Sequence, residues 1–410
     1  MKRPLFLAAL LFAAAPALAQ RADLPPEPAI AQALDSHPSV EAAAQRVAAA
    51  RAEAGMLRRG PHEVTVGGSY LRRSVDREGG FDEFDGTVTR AFRLPGKARL
   101  DRRAGELGVE VAENMQEDAR HQAALMLSDR WHDWQIAGAL VRLDAEAVAN
   151  YRAELRAIRD RADVRDASWL DVDQVESALA LAETRLADSR AAEAQARVAL
   201  ASAFPGLPLP PQAPPMTEPE LPPESIDTLC ALVISRSHEI GAAARDAERL
   251  DTVAMRIERD RFADPSVGVR LFSERSGAER GAGLVFSLPL GGGYRRSVAD
   301  QARAQAGAAR FDEARVRREV AETARSDAVA VGARMSAWES AGRAVDAASS
   351  ASRRSQRGYR LGAIDMADML YVRRQEIEAR RAEIRARGEA LRAILKIRID
   401  SHTVWAPDED

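Results

Sequence analysis

Ser36-His37-Pro38-Ser39-Val40 opens a run of helix-forming residues, and Ser237-His238-Glu239-Ile240 stands inside a second run of the same kind. The same order follows each of them. Two short segments of alternating polarity come first, then a very long helical stretch, then a shorter one. Phe92-Arg93-Leu94-Pro95-Gly96 closes the second alternating segment of the first half, and Phe286-Ser287-Leu288-Pro289-Leu290 closes its counterpart. A unit repeated at this length marks a duplicated structural body rather than a catalytic domain with one unique pocket.

The alternating segments read as strands. Val64 to Tyr70 places apolar or small residues at every second position, and Phe84, Gly86 and Val88 alternate with Asp85, Thr87 and Thr89. Period two with one apolar face is the signature of a half-buried strand. The pair predicts a β-hairpin with a long polar loop from Arg72 to Asp82. Val267, Val269 and Leu271, then Leu284, Phe286, Leu288 and Leu290, repeat the pattern in the second half.

The long stretches read as rods. No proline interrupts Lys97 to Arg161, and Leu127, Trp131, Trp134, Val141 and Val148 recur at three-, four- and seven-residue steps. About 65 helical residues reach roughly 100 Å. A helix of that length must pack side by side with others, as in a coiled coil. Asp163 to Ser168 is turn-like, and a shorter helix is predicted from Trp169 to Ala203. In the second half the expected elements are a helix over 225–262, a long helix over 294–355, a turn over 357–364 and a last helix over 365–399. Between the halves, Phe204 to Glu224 is dense in proline and reads as an extended linker. The predicted organisation is a leader over 1–19, a first repeat over 20–204 with strands at about 63–74 and 83–93, and a linker over 205–224. A second repeat over 225–400, with strands at about 266–273 and 281–290, and a loose tail over 401–410 complete it.

The N-terminus carries Lys2 and Arg3, an apolar run from Leu5 to Leu18, and Ala17-Leu18-Ala19 before Gln20. A basic start, a short apolar core and a small-x-small site form a secretory signal. No later stretch is apolar enough for a transmembrane helix, so membrane contact must use strands or a surface. The formal charge of −3 argues against nucleic acid as a partner. The single cysteine, Cys230, precedes an apolar run and reads as a buried structural thiol; it cannot form an intramolecular disulfide.

Catalytic signatures are missing. The six histidines include no i, i+4 metal pair, and there is no His-Glu-x-x-His, Gly-x-Ser-x-Gly or Walker loop. Gly291-Gly292-Gly293 reads as a turn into the long helix. His37 and His238 occupy matching repeat positions, which suits capping or packing. No enzymatic activity, metal site or cofactor is expected.

Four short strands cannot close a barrel alone. An exported chain can hide them in its own small sandwich or pool them with other copies. In lipid, only a closed barrel satisfies the strand hydrogen bonds.

The order helix, strand, strand, long helix, short helix, twice over, resembles the TolC-like outer-membrane efflux family. Tyr359-Arg360-Leu361-Gly362-Ala363-Ile364-Asp365-Met366-Ala367-Asp368-Met369-Leu370 is similar to that family's helix-turn-helix tip, and Ser168-Trp169-Leu170-Asp171-Val172 is a weaker version in the first repeat. The resemblance covers essentially the whole mature chain. It implies a mainly α fold with a small β part: a long coiled-coil α-barrel, plus four strands per chain given to a trimeric twelve-stranded transmembrane β-barrel. It also implies a passive outer-membrane duct, with a periplasmic adaptor and an inner-membrane pump as partners and outer-membrane lipid around the strands. Tyr359 matches a gate tyrosine, and Asp368 the first of two gate carboxylates. The second carboxylate position is Tyr371 here, which departs from the family pattern. The resemblance places Arg360, Leu361, Gly362 and Ala363 at one adaptor-facing tip. Aligning the repeats puts Arg161, Ala162 and Asp163 at the other, with Ala162 where a glycine is expected. Chain length and the missing lipidated cysteine resemble the heavy-metal, cobalt-zinc-cadmium branch. The alternative is a soluble periplasmic adaptor, whose strands would flank one central hairpin in nested order. An exported enzyme is the third reading.

Overall fold

A computed structural model describes residues 24–406; the expected leader over 1–19 and the last four residues of the tail lie outside the described residues. The first repeat runs α1 (Glu27–Asp35), α2 (Pro38–Arg59), β1 (Val64–Val75), β2 (Gly79–Ala91), α3 (Lys97–Asp163) and α4 (Trp169–Ala203). The second runs α5 (Ile226–Ser235), α6 (His238–Arg259), β3 (Ser266–Glu274), β4 (Glu279–Ser287), α7 (Gly293–Arg360) and α8 (Met366–Asp400).

Local chemistry sets these boundaries. Pro38 takes the first position of α2, where its missing N–H costs nothing, and His37 caps that helix by accepting from the Ser39 N–H. Ser225 and Ser237 cap α5 and α6 in the same way. The second repeat therefore breaks at Arg236-Ser237, where one continuous helix was expected, because a serine N-cap starts a new helix as Pro38 does in the first. His238 is the first residue inside α6 rather than its cap. Ser168 and Asp171 form a capping box on α4.

The long polar loop expected between β1 and β2 is a three-residue turn, Asp76-Arg77-Glu78, since Val75 pairs with Gly79. The strand ends carry charged residues on both faces, so periodicity gave no sign of them. Conversely, β4 stops at Ser287, leaving Leu288 and Leu290 beyond the strand before Gly291, which adopts φ 125°.

The four strands form one antiparallel sheet in the order β1-β2-β3-β4. The buried apolar clusters lie elsewhere, in the helices. The largest joins Ile30 and Leu34 of α1, Leu127, Trp131 and Trp134 of α3, Leu200 of α4 and Leu395 and Ile399 of α8. Phe204, Leu207 and Ala213 of the proline-rich segment enter the same cluster. Arg142 donates to the Ala213 carbonyl at 3.0 Å, and Arg197 to that of Pro210 at 3.3 Å. The linker is thus a strap laid across α3 and α4. Cys230 is half-buried, its thiol donating to the Ala324 carbonyl.

A charged knot ties the sheet to the rods. Lys97, 1% exposed, places Nζ 2.8 Å from both Asp260 Oδ1 and Asp264 Oδ1 and donates to the Phe262 carbonyl. Asp101 bridges Arg93 and Arg256. Burial acts to raise the Asp264 carboxyl, but the hydrogen bonds from Lys97, His62 and the Leu94 N–H outweigh it and hold the carboxyl below its usual range. The knot joins the start of α3 to the segment entering β3, so the two repeats share one junction.

Candidate channel wall and helical tips

The register of the sheet sorts its side chains onto two unlike faces. Val66, Val88, Val269 and Leu284 lie in one row across all four strands. Val64, Val267 and Phe286 share that face on one side of the row, and Leu271, Tyr70 and Phe84 on the other. All are open to their surroundings; Val66 is 74% and Leu284 91% exposed. The opposite face carries Thr65, Ser69, Asp85, Thr87, Thr89 and Arg270. No helix covers the apolar face, and the outer edges of β1 and β4 pair with no strand among the described residues. Exposed apolar rows and open edges are unstable in water. In lipid, the rows are solvated, and closure satisfies the edges.

At the far end of the rods stand two corners. The first, between α3 and α4, exposes Asp163, Val164, Arg165 and Asp166. Arg161 pairs with Asp166 at 2.8 Å. Ala162 departs from its expected place: it is 5% exposed and packs with Leu155, Ile158 and Val172, so it faces inward as a packing residue. The second corner exposes Arg360, Leu361, Gly362 and Ala363. The long helix runs on to Arg360 rather than turning at Arg357. Gly362 then adopts φ 72°, in the left-handed region that favours glycine at a helix end.

The structure brings the two corners together through Tyr359. Arg161 donates to its hydroxyl at 3.4 Å and lies over its ring at 5.7 Å. Burial pushes the Tyr359 phenol up, opposed by Arg161. Asp368 lies exposed in the first turn of α8, where its own N–H donates to the Asp365 cap at 2.8 Å. Its carboxylate is free to project and is favoured there by the helix dipole. Tyr371, one turn on, is 55% exposed and stacks under Arg374. Arg161 was expected only as a tip residue; its contact with Tyr359 spans 198 positions and left no trace in local sequence.

Sequence spacing also concealed a cluster midway along the rods. His121, His238 and His402 meet with ring centroids 5.2 and 4.7 Å apart. His121 Nε2 lies 3.0 Å from Asp400 Oδ1, and Lys396 bridges Asp400 and Asp327 at 2.6 Å each. Burial, with His238 and His121 alongside, lowers His402 to about 4. Burial also lowers His238 and raises Asp327 to about 6.

The family model described as "Outer membrane efflux protein" matches residues 29–205, the span that holds the first hairpin and rod pair. The first repeat of the chain is thus similar to the outer membrane efflux protein family. The second half of the chain repeats the architecture of the matched half. The whole fold resembles solved structures at low identity. CusC superposes with TM-score 0.76 at 15% identity, covering 92% of this chain and 91% of that one. The outer-membrane channel OprN gives 0.75 at 20% identity, over 93% and 90% of the two chains. The CmeC outer membrane channel of Campylobacter jejuni gives 0.74 at 15% identity, over 93% and 86%. No curated protein matches the sequence. The matched family is one of outer-membrane efflux proteins, and the fold is that of outer-membrane channels such as OprN and CmeC. The matched family is one of channels, not of enzymes. The soluble-adaptor reading is not favoured: the two hairpins come from tandem repeats and lie side by side in one open sheet.

Proposed function

We propose that three copies of this chain close a twelve-stranded barrel in the outer membrane and continue it as a helical tunnel through the periplasm. The observation that carries this is the uninterrupted apolar row Val66–Val88–Val269–Leu284 on a sheet with both edges open. Four strands are too few to close, and a lipid-facing sheet must close. Cargo enters at the tips from an inner-membrane pump through a periplasmic adaptor, docked at Arg161, Asp163, Arg360, Leu361, Gly362 and Ala363. The duct is passive and carries metal cations or small toxic compounds; its resemblance to the heavy-metal branch supports the former.

The gate lies at the tips. Tyr359 held by Arg161 keeps the second hairpin against the first, and three copies of Asp368 around the axis attract cations. Tyr371, replacing the second carboxylate, narrows the same level without charge. Opening parts the two hairpins at the Arg161–Tyr359 contact.

The test is fractionation of the producing cell followed by light scattering of the detergent-extracted protein. The expected result is a trimer in the outer-membrane fraction. A monomer released without detergent rules out the barrel. For the gate, Asp368→Ala in planar bilayers is expected to raise conductance and reduce cation preference; a channel unchanged in both properties removes Asp368 from the gate.

A further inference from the structure

The polar face of the sheet holds one charged layer within the height of its apolar band. Along the apolar face, Arg90 stands in the Val64 row and Arg280 in the Tyr70 row, and one row further out Arg72 meets Asp82, so lipid contact is bounded by these levels. Behind this band, the polar face has three rows. They run Thr65–Thr89–Gly268–Val285, Gly67–Thr87–Arg270–Gly283 and Ser69–Asp85–Phe272–Gly281. Asp85 and Arg270 are the charged residues among them, and they pair with each other. The next pair outward, Arg73 with Glu83 at 2.6 Å, already stands at the level of the rim.

This pair is held in a built setting. The Arg270 guanidinium lies over the Phe272 ring at 5.6 Å. That ring in turn lies against Gly281, where an added Cβ would come within 2.3 Å of it. The glycine lets the aromatic ring lie flat along the wall, and the ring carries the guanidinium beside Asp85. A planar, always charged guanidinium suits both contacts.

We infer that Asp85 and Arg270 together keep the barrel lumen free of ionic preference, each cancelling the other's field. The inference rests on the barrel proposed above, which turns this face toward the water-filled lumen. Rings of charged side chains on a pore wall select ions by sign, and low-dielectric surroundings focus their field. A ring of pairs instead leaves this level without net charge. The lumen then passes cargo of either sign and leaves discrimination to the tips.

The test is the reversal potential of the purified full-length protein in planar bilayers under a potassium chloride gradient. Asp85→Asn leaves three unopposed guanidinium groups and is expected to shift the potential toward anion preference. Arg270→Gln leaves three carboxylates and is expected to shift it the other way. In each case the permeability ratio should change several-fold. The charge-swapped double variant D85R/R270D is expected to return to the unmodified value, which a merely structural role would not produce. Both shifts should shrink at high salt, since the screening length falls from about 10 Å at 0.1 M to about 3 Å at 1 M. Pores in which neither single variant moves the reversal potential overturn the inference while leaving the barrel intact. An unmodified protein that forms no pore overturns the barrel and the inference with it.

Discussion

Helices α3 and α7 hold the same place in the two repeats and are nearly equal in length, 67 and 68 residues. Their surroundings differ. Helix α3 packs against α2, α4, α6 and α8, and it buries Leu127, Trp131, Trp134, Tyr151, Leu155 and Ile158. Among the described residues, helix α7 packs mainly against α5, α6 and α8; half of its buried residues are alanines, while Phe311 is 79% and Val329 72% exposed. Duplication supplied two rods, and the fold uses one as the spine of the chain and leaves a flank of the other bare. In the proposed trimer that flank is the surface a neighbouring copy covers. The junctions above the rods differ likewise. Lys97 enters α3 through a buried ionic knot, whereas Gly291-Gly292-Gly293 leads into α7 exposed to solvent.

The strongest way to break this contrast is at the junctions. Lys97→Met removes the buried cation shared by Asp260 and Asp264 and is expected to cost about 3–5 kcal/mol in chemical denaturation. Arg295→Ala, at the start of α7, is expected to stay within about 0.5 kcal/mol. Equal losses would show that both junctions carry load. The spines themselves come next. Trp134, fully buried, donates to Glu193 at 2.7 Å, and Trp134→Ala is expected to cost about 3–5 kcal/mol. Trp338 of α7 is half-buried, bonded to Glu383, and its truncation should cost clearly less in the same assay.

The histidine cluster, which ties α3 and α6 to the chain end after α8, sharpens the contrast by pH. The folded His402 stays neutral down to about 4, while the unfolded side chain protonates near its ordinary 6.5. Between those values the unfolded state binds more protons, so this contribution to stability falls as pH falls. Asp327 acts oppositely. Its folded carboxyl takes a proton near 6 and the unfolded one near 3.8, so its contribution rises as pH falls through that window. His402→Phe should therefore lose less melting temperature than the unmodified protein between pH 7 and 5, and Asp327→Asn should lose more. The reverse order would place the controlling proton elsewhere. The smallest effect on the single chain is expected from Phe311→Asp. Helical content should be unchanged and stability should shift by no more than about 0.5 kcal/mol, yet light scattering should show a weakened trimer. An intact trimer would remove the bare flank of α7 from the interface.

Much of this architecture was legible in the sequence because its signals are local. Proline and glycine punctuate the rods, seven-residue and shorter apolar steps define α3, and strict alternation picks out Val64–Tyr70 and Val267–Leu271. The misses share one cause. The charged ends of β1 and β2 have no apolar face to alternate, so Arg72 to Asp82 read as loop. Serine caps are weaker breaks than proline, so α5 and α6 read as one helix. Ala162 was placed at an exposed tip by aligning the repeats, but the inward side of a helix is chosen by what packs against it.

The sequence alone determined the duplicated order, the rods, the two-faced strands and the tip turn at Gly362, since each depends on residues within a few positions of one another. The tertiary structure decided which rod became the spine, that the proline-rich segment straps α3 and α4, and that Arg161 grips Tyr359. It also decided that Asp85 meets Arg270 on the polar wall and that three distant histidines meet beside Asp400. Each of these joins partners far apart in the chain, where burial and charge pairing select the contact and no local periodicity records it.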